Sequence, residues 1–372
     1  MIAQSKEIIY VTGMFLWTWF RGNLRWKAVD SLAEGISVYY GHDRIPLPNE
    51  KTSGGIVKCQ DLSKVYPNKL TGANILYLVS SALPPFPELL IKTAKKRGVK
   101  LVVNQNGVAI PAYHGNKLEV INRPRRFLLR NADHVIYQSL YCKLSSDTFL
   151  TKDISSFSIL PNPVDTTQFS CKEEGLCKSI PVLLLAGSHG RFYRVKAAVD
   201  ALRCLKEQGI EARLKIIGRL SWKTSVEQCV SETLQCCAGL KECVEIIGPY
   251  SQNEAAALYR TADILLHTQY NDACPRVVVE AMASGLPVVY SDSGGVGELV
   301  GTDAGIGIPV PKDWNTIHLP NPAEMAQGVA AVLEDYRHYS RKARERAASS
   351  LDVRTWLQRH TILFENLRKN CG

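Results

Sequence analysis

Several common signals are missing from this chain. None of its eleven cysteines stands in a Cys-x-x-Cys pair, and Cys236-Cys237 is the one close couple. That scatter excludes the usual zinc ribbons and dithiol redox centres, and it predicts buried free thiols and no metal site. No strand ends in a Gly-x-Gly-x-x-Gly turn, which argues against a dinucleotide-dependent oxidoreductase. No recognised nucleic-acid motif is present, so nucleic acid is not an expected partner. No apolar run reaches bilayer length. Ile8–Phe20 is too short and too interrupted, and the polar Met1–Glu7 is unlike a secretory leader, so a cytoplasmic chain is expected. There is no low-complexity tract, and 45% of residues are hydrophobic. The chain therefore reads as globular throughout.

Its 372 residues imply two domains, because single cores rarely grow past ~250–300 residues. Charge divides the chain in the same way. Residues 1–170 hold 21 Lys and Arg against 12 Asp and Glu, a net +9, while residues 171–372 hold 24 against 23, a net +1. The excess gathers in Lys95-Lys96-Arg97 with Lys100, and in Arg123, Arg125, Arg126 and Arg130 on a predicted helix. A basic first half suits an anionic membrane surface or a phosphate-bearing acceptor.

Strands alternate with helices throughout, which predicts parallel sheets covered on both faces. In the first half the expected strands are 8–12, 35–40, 75–80, 101–104 and 134–139. The expected helices are 24–33, 88–97, 124–131 and 141–150. In the second half, strands at 181–186, 214–217, 244–247 and 264–267 alternate with helices at 196–207, 225–236 and 253–261. Residues 170–179 read as a linker.

The densest information lies in Asn271–Val300, NDACPRVVVEAMASGLPVVYSDSGGVGELV. Pro275 suits the start of a helix, and Gly285 with Pro287 suits its end. The run VVVEAMAS between them is apolar except for Glu280. A carboxylate in a buried helix is expensive unless something pairs with it, so a polar ligand is expected there. Asp272 lies in the preceding loop. The strand PVVYSDS then runs into Gly294-Gly295 and a short helix, a candidate backbone cradle for an anion. Two carboxylates and an anion cradle suit a ligand with hydroxyls at one end and phosphate at the other, such as a nucleotide-sugar.

The spacing of Asp272 and Glu280, with the Pro-Val-Val strand and the Gly-Gly turn, resembles glycosyltransferase family 4. Ile159–Phe169, ILPNPVDTTQF, resembles the segment that closes the first domain in that family. The resemblance implies a GT-B fold: two Rossmann-like α/β domains facing a central cleft. The expected boundaries are 1–170 for an acceptor domain and 171–350 for a donor domain. Residues 351–372 would form a helix crossing back to the first domain.

It also implies a retaining transfer from a nucleotide-sugar donor, with no metal or other cofactor. The acceptor would be lipid-linked or another saccharide, and the enzyme peripheral on the inner membrane face. A small soluble acceptor and a catalytically silent scaffold are the alternatives. By this resemblance Arg194 and Lys196 hold the donor pyrophosphate, with Arg191 in reserve. Asp272 contacts sugar hydroxyls, where most members carry Glu. Glu280 binds the ribose. Gly294 and Gly295 supply amides, and Gly218, Arg219, Pro249 and Tyr250 approach the nucleoside. In the first domain Gly13 stands for the glycine-rich loop. Asn106-Gly107 occupies the usual His-Gly position. Trp17, Trp19 and Phe20 either bind acceptor or membrane, or pack into the core.

Overall fold

The computed structural model describes residues 34–369, apart from 51, 53 and 172–179. The strand and helix expected before residue 34, Gly13, the aromatic loop at Trp17–Phe20 and most of the expected linker lie outside the described residues. Two parallel sheets form the frame. The first contains β1 (Val38–Tyr39), β2 (Ile75–Val79), β3 (Lys100–Gln105), β4 (His134–Tyr137) and β5 (Phe157–Ile159), in sequence order. The second contains β6 (Val182–Ala186), β7 (Arg213–Ile217), β8 (Val244–Ile247), β9 (Ile264–His267), β10 (Val288–Asp292) and β11 (Gly305–Pro309), in the order β11-β10-β9-β6-β7-β8. β2 and β9 are buried along their whole length. That is why β2, and β9 as far as His267, read as apolar runs instead of alternating patterns.

Helices cover both faces. The first domain has α1 (Gly54–Ser63), α2 (Pro87–Lys95), α3 (Pro111–His114), α4 (Leu118–Asn131) and α5 (Leu140–Phe149). The second has α6 (Tyr193–Glu207), α7 (Val226–Cys236), α8 (Gln252–Arg260), α9 (Arg276–Ala283), α10 (Val296–Val300), α11 (Pro322–Glu334) and α12 (Tyr336–Ser350). The last helix, α13 (Val353–Lys369), returns to the first sheet. Its Trp356 and Phe364 pack with Val38, Tyr40, Leu62 and Tyr77. Tyr77 Oη lies 3.1 Å from His360 Nε2. Among the described residues, no helix is long and apolar enough to cross a membrane.

Two helix starts differ from the sequence reading. α4 begins at Leu118, and Pro124 sits inside it. Proline is costly inside a helix because it removes a backbone bond. Here the early turn is anchored from outside. Buried Asn122 accepts a hydrogen bond from Ala109 N and donates one to Ala109 O, both at 2.9 Å. α6 begins at Tyr193, three residues before the expected start at 196. That shift rotates every side chain of its first turn and decides which cations face the cleft.

Candidate active site

The carboxyl ends of the second sheet's central strands converge on the gap between the domains, where parallel α/β sheets bind ligands. β6 ends in Gly187 and β7 in Gly218, both with positive φ, at 108° and 109°. A Cβ on Gly218 would stand 2.0 Å from Gly187 O. Gly218 therefore lets two main chains touch. Arg219 beyond it is exposed, as is Pro249, whereas Tyr250 is half-buried.

The loop after β6 carries a buried cation and a buried imidazole. Arg194 donates from Nη1 to Ser188 O at 2.6 Å and from Nη2 to Ala186 O at 3.4 Å. Its Nε is buried and has no hydrogen-bond partner among the described residues. Burial lowers its pKa, and the charge of Asp272 acts against that. His189 is fully buried, with Nε2 placed 3.1 Å from Ile217 O. That carbonyl puts the proton on Nε2 and leaves Nδ1 a bare acceptor, which is likewise unpartnered. Burial, and secondarily Arg194, push the His189 pKa down to about 3.

Asp272 follows β9. The residue before it, Asn271, has φ of 51°, a left-handed conformation that Asn tolerates better than most residues. Asp272 Oδ2 lies 3.4 Å from Nε2 of buried His267. The pair is too poorly aligned to be a hydrogen bond, so this nitrogen is a third unpartnered buried polar atom. Burial lowers the His267 pKa, while Asp272 opposes the shift.

Three tyrosines tie this region to the first domain. Tyr113 Oη donates to Tyr270 O at 2.5 Å and lies 2.8 Å from Tyr193 Oη. Tyr193 Oη also accepts from Tyr270 N at 3.2 Å. Burial, followed by the neighbouring Tyr193, raises the Tyr113 pKa. Arg191 donates to Tyr113 O at 2.7 Å, with its guanidinium 5.0 Å from the Tyr113 ring centre. Arg191 thus bridges the cleft from the exposed side.

Lys196 does not join these groups. It points outward from α6 and pairs with Asp200 one turn on, at 2.5 Å, with half its side chain exposed. The early start of α6 is the physical reason. Arg194 and Arg191 face the cleft instead.

Glu280 is buried, as its helical setting predicted, but a cation already meets it. Its Oε1 accepts from Arg276 Nε at 2.9 Å and from Gln252 Nε2 at 3.1 Å, and its Oε2 accepts from Tyr259 Oη at 3.1 Å. Arg276 also reaches Asp61 of the first domain at 3.3 Å. Arg276 stands four residues before Glu280, the spacing at which helical side chains meet, so this pair was readable in the sequence and missed.

The Gly294-Gly295 turn is also not the open cradle expected. Gly295 N donates to Asp272 O at 2.8 Å, so that amide is spent. A Cβ on Gly294 would stand 2.2 Å from Asp272 O, and one on Gly295 2.1 Å from Ala273 O. The glycines let this turn seat the Asp272 loop against the domain boundary. Glu298, in α10, accepts hydrogen bonds from Leu140 N at 2.7 Å and Tyr141 N at 2.8 Å. A carboxylate from one domain thus caps a helix of the other, a favourable charge at a helix N-terminus. Ser139 Oγ adds a bond to Ala273 O at 2.7 Å.

Across the gap lies Asn106-Gly107. Asn106 N donates to Ser80 Oγ at 2.9 Å, and a Cβ on Gly107 would stand 3.7 Å from the Ala273 methyl. These residues therefore face the Asp272 loop. Lys58 on α1 is also buried, and burial lowers its pKa to about 8. Nothing in the sequence around it, GGIVKCQDLS, signals either the helix or the burial.

The architecture is that of a GT-B glycosyltransferase. A glycosyltransferase from Rickettsia africae superposes with a TM-score of 0.62 at 16% identity, covering 86% of this chain and 89% of that one. WaaG, a glycosyltransferase involved in lipopolysaccharide biosynthesis, gives 0.58 at 15% identity, covering 88% and 98%. HepE from Anabaena, solved with UDP-glucose, gives 0.59 at 18% identity, covering 79% of each chain. Residues 172–349, just under half of the chain, match the family "Glycosyl transferases group 1". Among curated relatives, a D-inositol 3-phosphate glycosyltransferase from Corynebacterium kroppenstedtii is 31% identical over 173 residues, covering 44% of this chain and 37% of the relative. The putative colanic acid biosynthesis glycosyltransferase WcaL of Escherichia coli is 32% identical over 112 residues, covering 28% and 26%. The matches thus span about a third of those relatives' length or less.

Proposed function

We propose that the protein is a retaining, metal-independent glycosyltransferase that takes a sugar from a nucleotide-sugar donor. The observation that carries this reading is the trio Arg194, His189 and His267 around Asp272. Each of the three keeps a buried polar atom without a hydrogen-bond partner among the described residues. Such atoms cost free energy in the unliganded state and are satisfied by a ligand with hydroxyls and phosphate oxygens. The three lie at the ends of β6 and β9, either side of the Asp272 carboxylate.

In this reading the donor pyrophosphate sits against Arg194 and Arg191, which take the role assigned to metal in other transferases. Asp272 accepts hydrogen bonds from donor-sugar hydroxyls. Glu280 already accepts three hydrogen bonds, which leaves one lone-pair direction for a ribose hydroxyl. Gly218 lets the loops after β6 and β7 close on each other beside the ligand, with Arg219, Pro249 and Tyr250 toward the nucleoside. Asn106 and Gly107 form the facing wall. The acceptor hydroxyl attacks the anomeric carbon from the face the phosphate leaves, and the cations stabilise the charge that develops on the leaving group.

The acceptor is a saccharide, lipid-linked or free. Relatives named for colanic acid and amylovoran biosynthesis support that class, as does the basic first domain. Its charge is thinner than the sequence suggested. Arg126 is held by Glu119 and by Phe149 O, and Arg125 donates to Ile121 O, whereas Arg123 and Arg130 stay exposed. Reversible docking on anionic lipid through such groups, at ~1 kcal/mol each, would place the enzyme on the inner membrane face. Proton NMR of the product formed in the presence of a chelator tests the central claim. The donor's anomeric configuration should be preserved and the rate unchanged; an inverted anomer or loss of turnover would overturn it.

A further inference from the structure

A second cavity adjoins Asp272 on the flank away from Arg194. It has a volume of about 560 Å³ and is built from both domains. α5 contributes Tyr141 and Leu144, the end of β10 contributes Asp292 and Gly294, and the loop after β11 contributes Lys312 and Trp314. In the sheet order β11-β10-β9-β6-β7-β8, Asp272 at the end of β9 divides this cavity from the phosphate side at β6 and β7.

Its lining has a definite chemistry. Tyr141 and Trp314 lie with ring centres 5.3 Å apart and planes tilted by 33°, and Phe149 supports Trp314 from behind at 5.4 Å. Leu144 is 57% exposed, which extends this apolar wall. Around the same cavity, the Asp292 carboxylate, the Lys312 ammonium, the Trp314 indole N–H and the Tyr141 hydroxyl have no hydrogen-bond or ion-pair partner among the described residues. Asp313 and Glu298 also line the cavity, but backbone amides already occupy them. One cation among three carboxylates disfavours a phosphate. An aromatic wall sharing one cavity with a free carboxylate and free donors suits a neutral polyol with one apolar face.

We infer that this cavity is a saccharide subsite holding a pyranose ring of the acceptor beside Asp272. The inference rests on the glycosyltransferase reading and adds the acceptor's position to it. The loop that carries Trp314 is pinned for this purpose. Tyr270 Oη donates to Pro311 O at 2.7 Å, Asn271 Nδ2 donates to Asp313 O at 2.8 Å, and Ala112 N donates to Trp314 O at 2.9 Å. The same residues that shape the Asp272 loop therefore hold the aromatic wall.

The test is saturation-transfer NMR with the methyl glycosides of glucose, galactose, mannose and N-acetylglucosamine. Each is measured with and without excess UDP, GDP and ADP. At least one glycoside should receive saturation, and nucleotide should not displace it. The signal should fall by about tenfold or more in Trp314→Ala and in Asp292→Asn. The second variant is isosteric and controls for folding. Transfer to none of the four glycosides, or transfer unchanged in both variants, overturns the subsite. Thermal shift with UDP-, GDP- and ADP-sugars on the same samples keeps the two readings apart. Donor binding without glycoside transfer sinks the subsite alone, whereas glycoside transfer with no donor binding sinks the assignment of the ring to an acceptor.

Discussion

Replacing Glu280 with Gln separates two roles for one buried carboxylate. The side chain keeps its volume and one acceptor oxygen but loses its charge. In the structure that charge faces Arg276, itself partly buried, at 2.9 Å, while the other partner of Arg276, Asp61, lies at 3.3 Å in the first domain. Removing one member of a buried ion pair costs ~3–5 kcal/mol. Gln retains the hydrogen bond from Arg276 Nε, so about half of that loss is expected, ~2 kcal/mol. A domain of this size shifts by ~2–4 °C in Tm for each kcal/mol, which gives a fall of ~4–8 °C. Asp61→Asn should cost less, because Arg276 would keep its closer partner. Differential scanning calorimetry measures the shift, and isothermal titration with the preferred donor measures binding. If Glu280→Gln melts like the native protein but loses donor affinity, the carboxylate serves the ligand and the ion-pair argument fails.

Other perturbations should be as discriminating. Arg194→Ala should lower kcat/KM by roughly 10²-fold, equivalent to ~3 kcal/mol, while Lys196→Ala should stay within about twofold of native. The reverse ranking would show that the register of the loop after β6 is misread. Gly295→Ala should fail to fold or lose activity, since its methyl would sit 2.1 Å from Ala273 O; native-like activity would refute the close-approach argument. Acid should destabilise the fold through His189 and His360, held by burial near pKa 3 and 4 against an ordinary 6.5. A depressed histidine pKa favours the folded state fully above pH 6.5, and that advantage is lost as pH falls toward the folded value. Near pH 5 each should cost ~2 kcal/mol in urea denaturation, and a midpoint that does not change between pH 7 and 5 would contradict their neutral burial.

The parts legible in the sequence share a physical cause. Parallel strands covered on both faces must be continuous apolar runs, so β6, β9 and β10 were visible, and strand ends located Asp272 and the loop after β6. Cap signals were present but unread: Ser225 accepts from Gln228 N at 3.3 Å at the start of α7, and Ser251 with Glu254 forms a capping box at α8, ahead of the start expected at 253. What failed depended on contacts remote in sequence. The first turn of α4 is held by Asn122 bonding to Ala109, and no local pattern encodes that. The outward turn of Lys196 follows from a helix start moved by three residues. Gly294-Gly295 was read as an anion cradle because its amides look free along the chain; only the fold brings Asp272 O to take one of them.

The residues least visible in the sequence are those at the domain boundary, and they account for the position of the site. Tyr113, Tyr193 and Tyr270 share hydrogen bonds across the gap, Arg191 lies over Tyr113, Glu298 caps α5, and Arg276 joins Glu280 to Asp61. The contacts of Tyr113 with Tyr193 and Tyr270, of Arg191 with Tyr113, of Glu298 with α5 and of Arg276 with Asp61 each pair a group of one domain with a group of the other. Polar contacts of this kind are individually modest and directional, unlike a continuous apolar interface. A boundary built from them can hold the facing loops in register yet exchange partners when a ligand enters. Among the described residues, three buried polar atoms, Arg194 Nε, His189 Nδ1 and His267 Nε2, have no hydrogen-bond partner at this polar boundary. The boundary is therefore complete around its rim and incomplete at its core, the pattern expected of a cleft whose missing partner is a substrate.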